Sequence, residues 1–299
     1  MAGSKAENSY VCAPFDKNPH TPVRPPSPGA CDCHAHIVGP ERQFPLAPGR
    51  SYTPSLAPLS AYLHMLDRLG LSRGVIVQPS FYGTDNRATI QAVAEAGRGF
   101  RAIVVTEEDI SSSDLLQLDA SGARGARINL LFKGGSTIND LPRYAARLAD
   151  IGWHIQFLVD VSTISDATWQ TLQDLPCDLV FDHMGHVPTN KGINNHGFRR
   201  FLQILDSGKA WVKLSGAYRM TTELNPPYED TTPFAHLLIR YCPDRVVWGT
   251  DWPHPNIPVN MPNDGALLDM LWDWVRDSRT YTKILTDNPA RLYGFDAVS

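Results

Sequence analysis

The sequence predicts a single (β/α)8 TIM barrel of the α/β class over residues 29–299, preceded by a proline-rich extended N-terminal arm over residues 1–28. Three observations predict it. Eight short runs rich in apolar and β-branched residues alternate with eight amphipathic stretches, and that alternation closes parallel strands into a barrel. Polar clusters end most of those runs, and a barrel carries its chemistry at the C-terminal ends of its strands. No Gly-x-Gly-x-x-Gly follows the first run, which disfavours a doubly wound open sheet.

In chain order, the arm has many prolines and few apolar residues, so it predicts extended chain on the surface. Strands are predicted at 30–36, 74–78, 102–105, 126–130, 154–158, 179–182, 211–214 and 246–249. Helices are predicted at 60–69, 85–96, 113–118, 141–149, 165–175, 198–207, 232–241 and 265–276. Asp85 and Ser165 stand at helix starts, where short polar side chains cap free N–H groups. The insert 38–59, with five prolines and the aromatics Phe44 and Tyr52, predicts a long first loop over the barrel mouth.

The chain has 299 residues, 42% of them hydrophobic, enough to bury a substantial core. A net charge of -4 with scattered lysines and arginines offers no basic field for nucleic acid. Residues 1–28 lack the apolar core of a signal peptide, and no later run is long enough to span a bilayer. The expectation is a soluble cytoplasmic protein with a small-molecule partner; oligomeric state is not legible. Five irregularly spaced cysteines suit reduced thiols, and the Cys31-x-Cys33 pair is expected to pack on the helix-facing side of the first strand.

That strand holds the first candidate centre. In Asp32-Cys33-His34-Ala35-His36, alternation places Asp32, His34 and His36 on one face. His183 ends the sixth strand and Asp251 follows the eighth. Three neutral imidazoles and a carboxylate can hold one Zn2+-like cation with an open water position. Without metal, the imidazoles can polarise an ester carbonyl while Asp251 takes a proton from water. Either arrangement is a candidate hydrolytic centre.

The order of His-x-His on the first strand, Asp182-His183-Met184-Gly185 on the sixth and Trp248-Gly249-Thr250-Asp251-Trp252-Pro253-His254-Pro255 on the eighth resembles the amidohydrolase superfamily. Within it the chain is most similar to the 2-pyrone-4,6-dicarboxylate lactonase branch, related to sulfomuconolactone hydrolases. The likeness runs from about Pro28 to Tyr293, through Val77-Gln78-Pro79-Ser80, Gly83-Thr84-Asp85-Asn86 and Asn288-Pro289-x-Arg291-Leu292-Tyr293. The resemblance implies a lactone hydrolase in which His34, His36 and His183 polarise the lactone carbonyl and Asp251 activates water. It implies either no required metal or one divalent ion, zinc first, on His34, His36, His183 and Asp251, and no organic cofactor. A strand-4 lysine, which bridges two metals elsewhere in the superfamily, is missing from Gly125-Ala126-Arg127-Ile128-Asn129, so two metals are not expected.

Guanidinium forks suit carboxylates and sulfonates. Arg127 shares a strand face with Asn129, and Arg219 follows the seventh strand. By resemblance, Arg127, Lys133 and Arg219 hold substrate anions, with Ser80 and Tyr82 as neutral partners. His254 and His186 are candidates for protonating the leaving oxygen. Two positions depart from the dicarboxylate lactonases, with Lys133 in place of an arginine and Phe157-Leu158 in place of a tyrosine, so a second anionic group would be held differently. The competing readings are a lactone isomerase on this scaffold, a metal-dependent decarboxylase of the superfamily, and a ligand-binding barrel without turnover.

Overall fold

A computed structural model describes residues 10–132 and 138–296. Eight parallel strands run in chain order around one sheet: β1 (Cys31–Ala35), β2 (Arg73–Val77), β3 (Phe100–Val104), β4 (Ala123–Asn129), β5 (His154–Leu158), β6 (Leu179–Phe181), β7 (Ala210–Leu214) and β8 (Val246–Trp248). The predicted fold class holds. Strand bounds differ most at β4, which begins at Ala123 rather than 126 and carries a register irregularity against β3. The first and last strands meet through a parallel bridge from Ala35 to Trp252, with Asp251 N–H donating to the His34 carbonyl at 2.8 Å and His36 N–H to the Trp252 carbonyl at 2.7 Å.

The outer layer is α1 (Leu59–Leu69), α2 (Arg87–Ala96), α3 (Ser112–Ala120), α4 (Leu141–Ala149), α5 (Asp166–Asp174), α6 (His196–Asp206), α7 (Thr232–Tyr241) and α8 (Asp264–Val275). Ser165 caps α5 by accepting from Thr168 N–H, as its position predicts. Asp85 accepts from Arg87 N–H at 3.2 Å beside the start of α2. Short helices at Ser278–Thr282 and Asn288–Tyr293, beyond the eight predicted, complete the C-terminal segment. Among the described residues no helix is long and apolar enough to cross a membrane.

Strict alternation fails in β1, where the pairing with β2 shifts register between Asp32 and Ala35. Cys31 and Cys33 pack with Val75, Val77, Ile103, Val180 and Val247 inside the barrel, not on the helix-facing side. Asp32 faces outward, accepting from Tyr62 of α1 at 3.1 Å and from Thr250 Oγ1 at 2.6 Å. An irregularity of this kind re-aims the residues that follow it, so His34 turns inward although it directly succeeds an inward cysteine. All five cysteines are buried free thiols.

Tyr10–Val11 pairs with Tyr52–Thr53 of the first loop, and Val38 bridges Ala57 across that loop's base. Tyr52 is thereby held between the rings of Phe81 and Phe132. Farther along, His20 N–H donates to Asn263 Oδ1 and Val23 N–H to Asp269 Oδ1, tying residues 20–23 to α8.

Candidate active site

Three strand ends supply the central groups. His34 and His36 come from β1, Asp182 and His183 from the turn after β6, and Asp251 from the loop after β8. His183 and Asp251 have positive φ values of 51° and 64°. A left-handed backbone at a non-glycine residue is strained, and such strain clusters at functional sites. Gly216 lets His183 approach, since a Cβ there would lie 2.7 Å from the imidazole Nδ1.

The Asp251 carboxylate is the hub. Its Oδ1 lies 3.6 Å from His34 Nε2 and 3.4 Å from His36 Nε2, and its Oδ2 lies 3.9 Å from His183 Nε2. All four residues are buried. Arg219 Nε and the Tyr218 hydroxyl donate to Oδ2 at 2.7 and 2.8 Å. Burial alone would raise the carboxyl's pKa, but the Arg219 guanidinium holds it well below the usual carboxylate range. It is therefore ionised at neutral pH. Burial lowers all three imidazoles, His34 to about 3, so they are neutral.

A neutral imidazole carries one proton, and each ring's other nitrogen shows where it sits. His36 Nδ1 is 2.7 Å from the Val77 carbonyl, which can only accept, so Nδ1 donates and Nε2 presents a lone pair to the site. Neutral His36 therefore cannot polarise a carbonyl through Nε2, contrary to the expectation for all three histidines. His34 Nδ1 lies 3.3 Å from Lys213 Nζ. Asp182 Oδ1 is 3.2 Å from the same nitrogen yet makes no hydrogen bond. His183 Nδ1 meets the Ser215 hydroxyl at 2.9 Å, which can serve either tautomer.

The groupings His34–His36–Asp251 and His34–Asp182–His183 bring ligand atoms within 4.8 Å of one another, a spacing that suits a single cation. A ligating imidazole needs its lone pair on the site side. His36 Nε2 presents one, whereas His34 Nδ1 lies between Lys213 Nζ at 3.3 Å and Asp182 Oδ1 at 3.2 Å, so which of the two it faces decides whether its Nε2 can ligate.

The other predicted residues divide. Arg127 reaches Asp182 Oδ2 at 3.4 Å and the Gln78 carbonyl at 3.2 Å, inside the barrel as its face predicts. Ser80 is buried within hydrogen-bonding reach of Tyr52. The Tyr82 hydroxyl accepts from Gly39 N–H at 3.0 Å and braces the first loop. His254 has both ring nitrogens engaged, by Tyr218 at 2.8 Å and Asp264 at 3.0 Å, so its ring is linked to the Asp251 carboxylate through Tyr218. His186 keeps an unpartnered buried Nε2 and lines a rim cavity of about 420 Å³ with Arg219, Phe132 and Ile257. Lys133 lies outside the described residues. Phe157 stacks on Phe181 in the core cluster that includes the helix layer, while alternation puts buried Leu158 on the inner face with Gln156.

Asp182 stands in a quoted motif, Lys213 within the predicted strand 211–214 and Tyr218 just beyond it, but sequence reasoning gave none of them a role. The signal for Lys213 was available, because a lysine inside the apolar run Ala210-Trp211-Val212-Lys213-Leu214 must find buried partners. Tyr52 was visible only as a loop aromatic.

Comparison with known proteins adds an independent line. The amidohydrolase family pattern matches residues 31–295. A 2-pyrone-4,6-dicarboxylate hydrolase of Comamonas testosteroni is 36% identical over 287 residues, covering 92% of this chain and 93% of its own. A 4-sulfomuconolactone hydrolase of Rhizobium radiobacter is 37% identical over 278 residues, covering 89% and 90%. The crystal structure of a putative 2-pyrone-4,6-dicarboxylic acid hydrolase from Pseudomonas putida superposes with a TM-score of 0.78 at 32% identity, covering 90% of this chain and 99% of that one. With the pattern spanning nearly the whole barrel and relatives above 30% identity along most of its length, this chain belongs to the amidohydrolase family.

Proposed function

We propose that this protein is a cytoplasmic lactone hydrolase that opens a small carboxylated or sulfonated lactone of the 2-pyrone dicarboxylate or muconolactone type met in aromatic degradation. The observation that carries the reading is the unfilled pair at the centre. His34 Nε2 and Asp251 Oδ1 are both buried and without a hydrogen-bond partner, 3.6 Å apart. Unpartnered polar atoms in a buried site are costly unless a ligand completes them. A lactone carbonyl would complete the donor, and a water the acceptor.

In the proposed reaction, water donates to Asp251 Oδ1 and to the lone pair of His36 Nε2. Its oxygen attacks the lactone carbonyl carbon as the proton passes to Asp251. Negative charge grows on the carbonyl oxygen, where His34 Nε2–H and His183 donate to it. The ring C–O bond then breaks, and the departing oxygen takes the proton that Asp251 holds. One water is consumed; the new carboxylic acid keeps the water's second proton and releases it to solvent to become a carboxylate. No step requires a metal or an organic cofactor. Arg127, Arg219 and Lys133 supply charge for the substrate's anionic groups and Ser80 a neutral contact; Tyr82 and His254 act by bracing their neighbours.

The test is turnover of a panel of carboxylated and sulfonated lactones in H2¹⁸O. Hydrolysis places one ¹⁸O in the new carboxylate. An isomerised product without the label, release of CO2, or binding of every lactone without turnover would each overturn the proposal in favour of a competing reading.

A further inference from the structure

Lys213 is a buried lysine that the proposed reaction does not use. It stands on the inner face of β7, and its Nζ donates to the Cys33 carbonyl at 2.8 Å and to Gln156 Oε1 at 2.7 Å. The third group in its reach is His34 Nδ1, at 3.3 Å. Asp182 lies at 3.6 Å, and Gln156 Nε2 donates to the far oxygen of that carboxylate at 3.1 Å. The carboxylate balances an ammonium in this dry position. An ammonium has three protons and nothing to accept with, so whatever faces it must accept.

We propose that Lys213 is the positioning residue that fixes the tautomer of His34, turning the Nδ1 lone pair down to the ammonium and the Nε2 proton up to the substrate. The inference deepens the hydrolase reading, on which it rests for its meaning in catalysis. His34 and His36 are thereby set in opposite senses although they are two residues apart. His36 accepts at the centre because the Val77 carbonyl takes its Nδ1 proton, and His34 donates because Lys213 supplies one. A metal ion needs lone pairs from both. The lysine under the first imidazole thus keeps this His-x-His pair a hydrogen-bonding device rather than a metal clamp.

Removing the ammonium should reverse the choice. In Lys213→Met, His34 Nδ1 would face Asp182 Oδ1, already 3.2 Å away, as an acceptor. The proton would move to Nδ1 and free the Nε2 lone pair beside those of His36 and Asp251. The substitution should create affinity for a soft-tolerant divalent ion, by a factor on the order of ten to a hundred, the range over which partners behind a ligand tune metal sites.

The experiment is a long-range ¹H–¹⁵N correlation spectrum of histidine-labelled protein, with His34 assigned by a His34→Gln variant, followed by cobalt(II) titration read by visible absorption. Wild type should show His34 protonated at Nε2 and little cobalt absorption. Lys213→Met should show it protonated at Nδ1 and cobalt absorption that disappears in the Lys213→Met/His34→Gln double variant. Nδ1 protonation in wild type, an unchanged His34 tautomer in Lys213→Met, or equal cobalt affinity in the two proteins would overturn the inference. The wild-type spectrum decides the tautomer even if the variant fails to fold. Neither readout involves a lactone, so failure of the hydrolase proposal and failure of this one are distinguishable.

Discussion

Replacing Asp251 by asparagine keeps the side chain's shape and removes its charge and basicity. The wild-type Oδ2 accepts from Arg219 at 2.7 Å and Tyr218 at 2.8 Å, so an amide placed with its oxygen there preserves both hydrogen bonds. Its NH2 then occupies the Oδ1 position, 3.4 Å from the His36 lone pair, where it can donate but cannot take a proton from water. A general base contributes about 10²–10⁴ in rate, so kcat should fall by about that factor, roughly 3–5 kcal/mol of barrier. Substrate affinity should change by less than about threefold, because Asp251 contacts water rather than the anion. Arg219 also loses a buried counter-charge, a change that costs about 3–5 kcal/mol when one partner of such a pair is removed. The assay is therefore single-turnover ring opening well below the variant's own unfolding transition, with affinity measured by calorimetry. A rate loss under about tenfold, or an affinity loss as large as the rate loss, would refute the base assignment.

Acid should weaken the fold in a defined window. Burial holds His34 and His154 at about 3 and His186 at about 4, below the 6.5 of an exposed imidazole. Between those values the unfolded chain binds more protons, so the stabilisation is complete above pH 6.5 and is lost as pH falls toward 3. At pH 5 each group accounts for about 2 kcal/mol, and His154→Leu should flatten the difference between the unfolding free energies from urea titration at pH 5 and 7.5 by that amount. An unchanged pH dependence would count against neutral burial of His154. Tyr218→Phe removes a hydroxyl shared by Asp251 and His254 and should cost about 1–3 kcal/mol in chemical denaturation, with kcat lowered by about tenfold; full wild-type kcat would show that the brace is dispensable. Gly216→Ala places a Cβ 2.7 Å from His183 Nδ1 at a φ of 58°. It should destabilise by about 1–3 kcal/mol and slow turnover, and a neutral effect on both would mean that His183 yields without consequence.

The barrel was legible because strand and helix periods alternate cleanly and because apolar runs end in polar clusters, the pattern that placed His34, His36, His183 and Asp251 at one rim. What the pattern could not carry was the irregularity in β1. Alternation assigns Asp32 and His34 to one face, whereas the shifted register sends Asp32 out to Tyr62 and His34 in to Asp251. Nor does periodicity name partners far apart in sequence. Lys213 and His34 are separated by 179 residues, as are Tyr218 and His254 by 36, and only the closed barrel makes them neighbours. The proton on each imidazole follows from those neighbours, so the chemistry of the histidines was readable in kind but not in direction.

The stitch that shuts the cylinder is made by three residues of the proposed centre, through the main chain of His34, His36 and Asp251 together with that of Trp252. Parting the two ends of the sheet would withdraw the carboxylate from the imidazoles before the rest of the fold had to give way. Loss of turnover should accordingly precede loss of secondary structure on warming, and an inhibitor that spans this seam should fasten the whole cylinder.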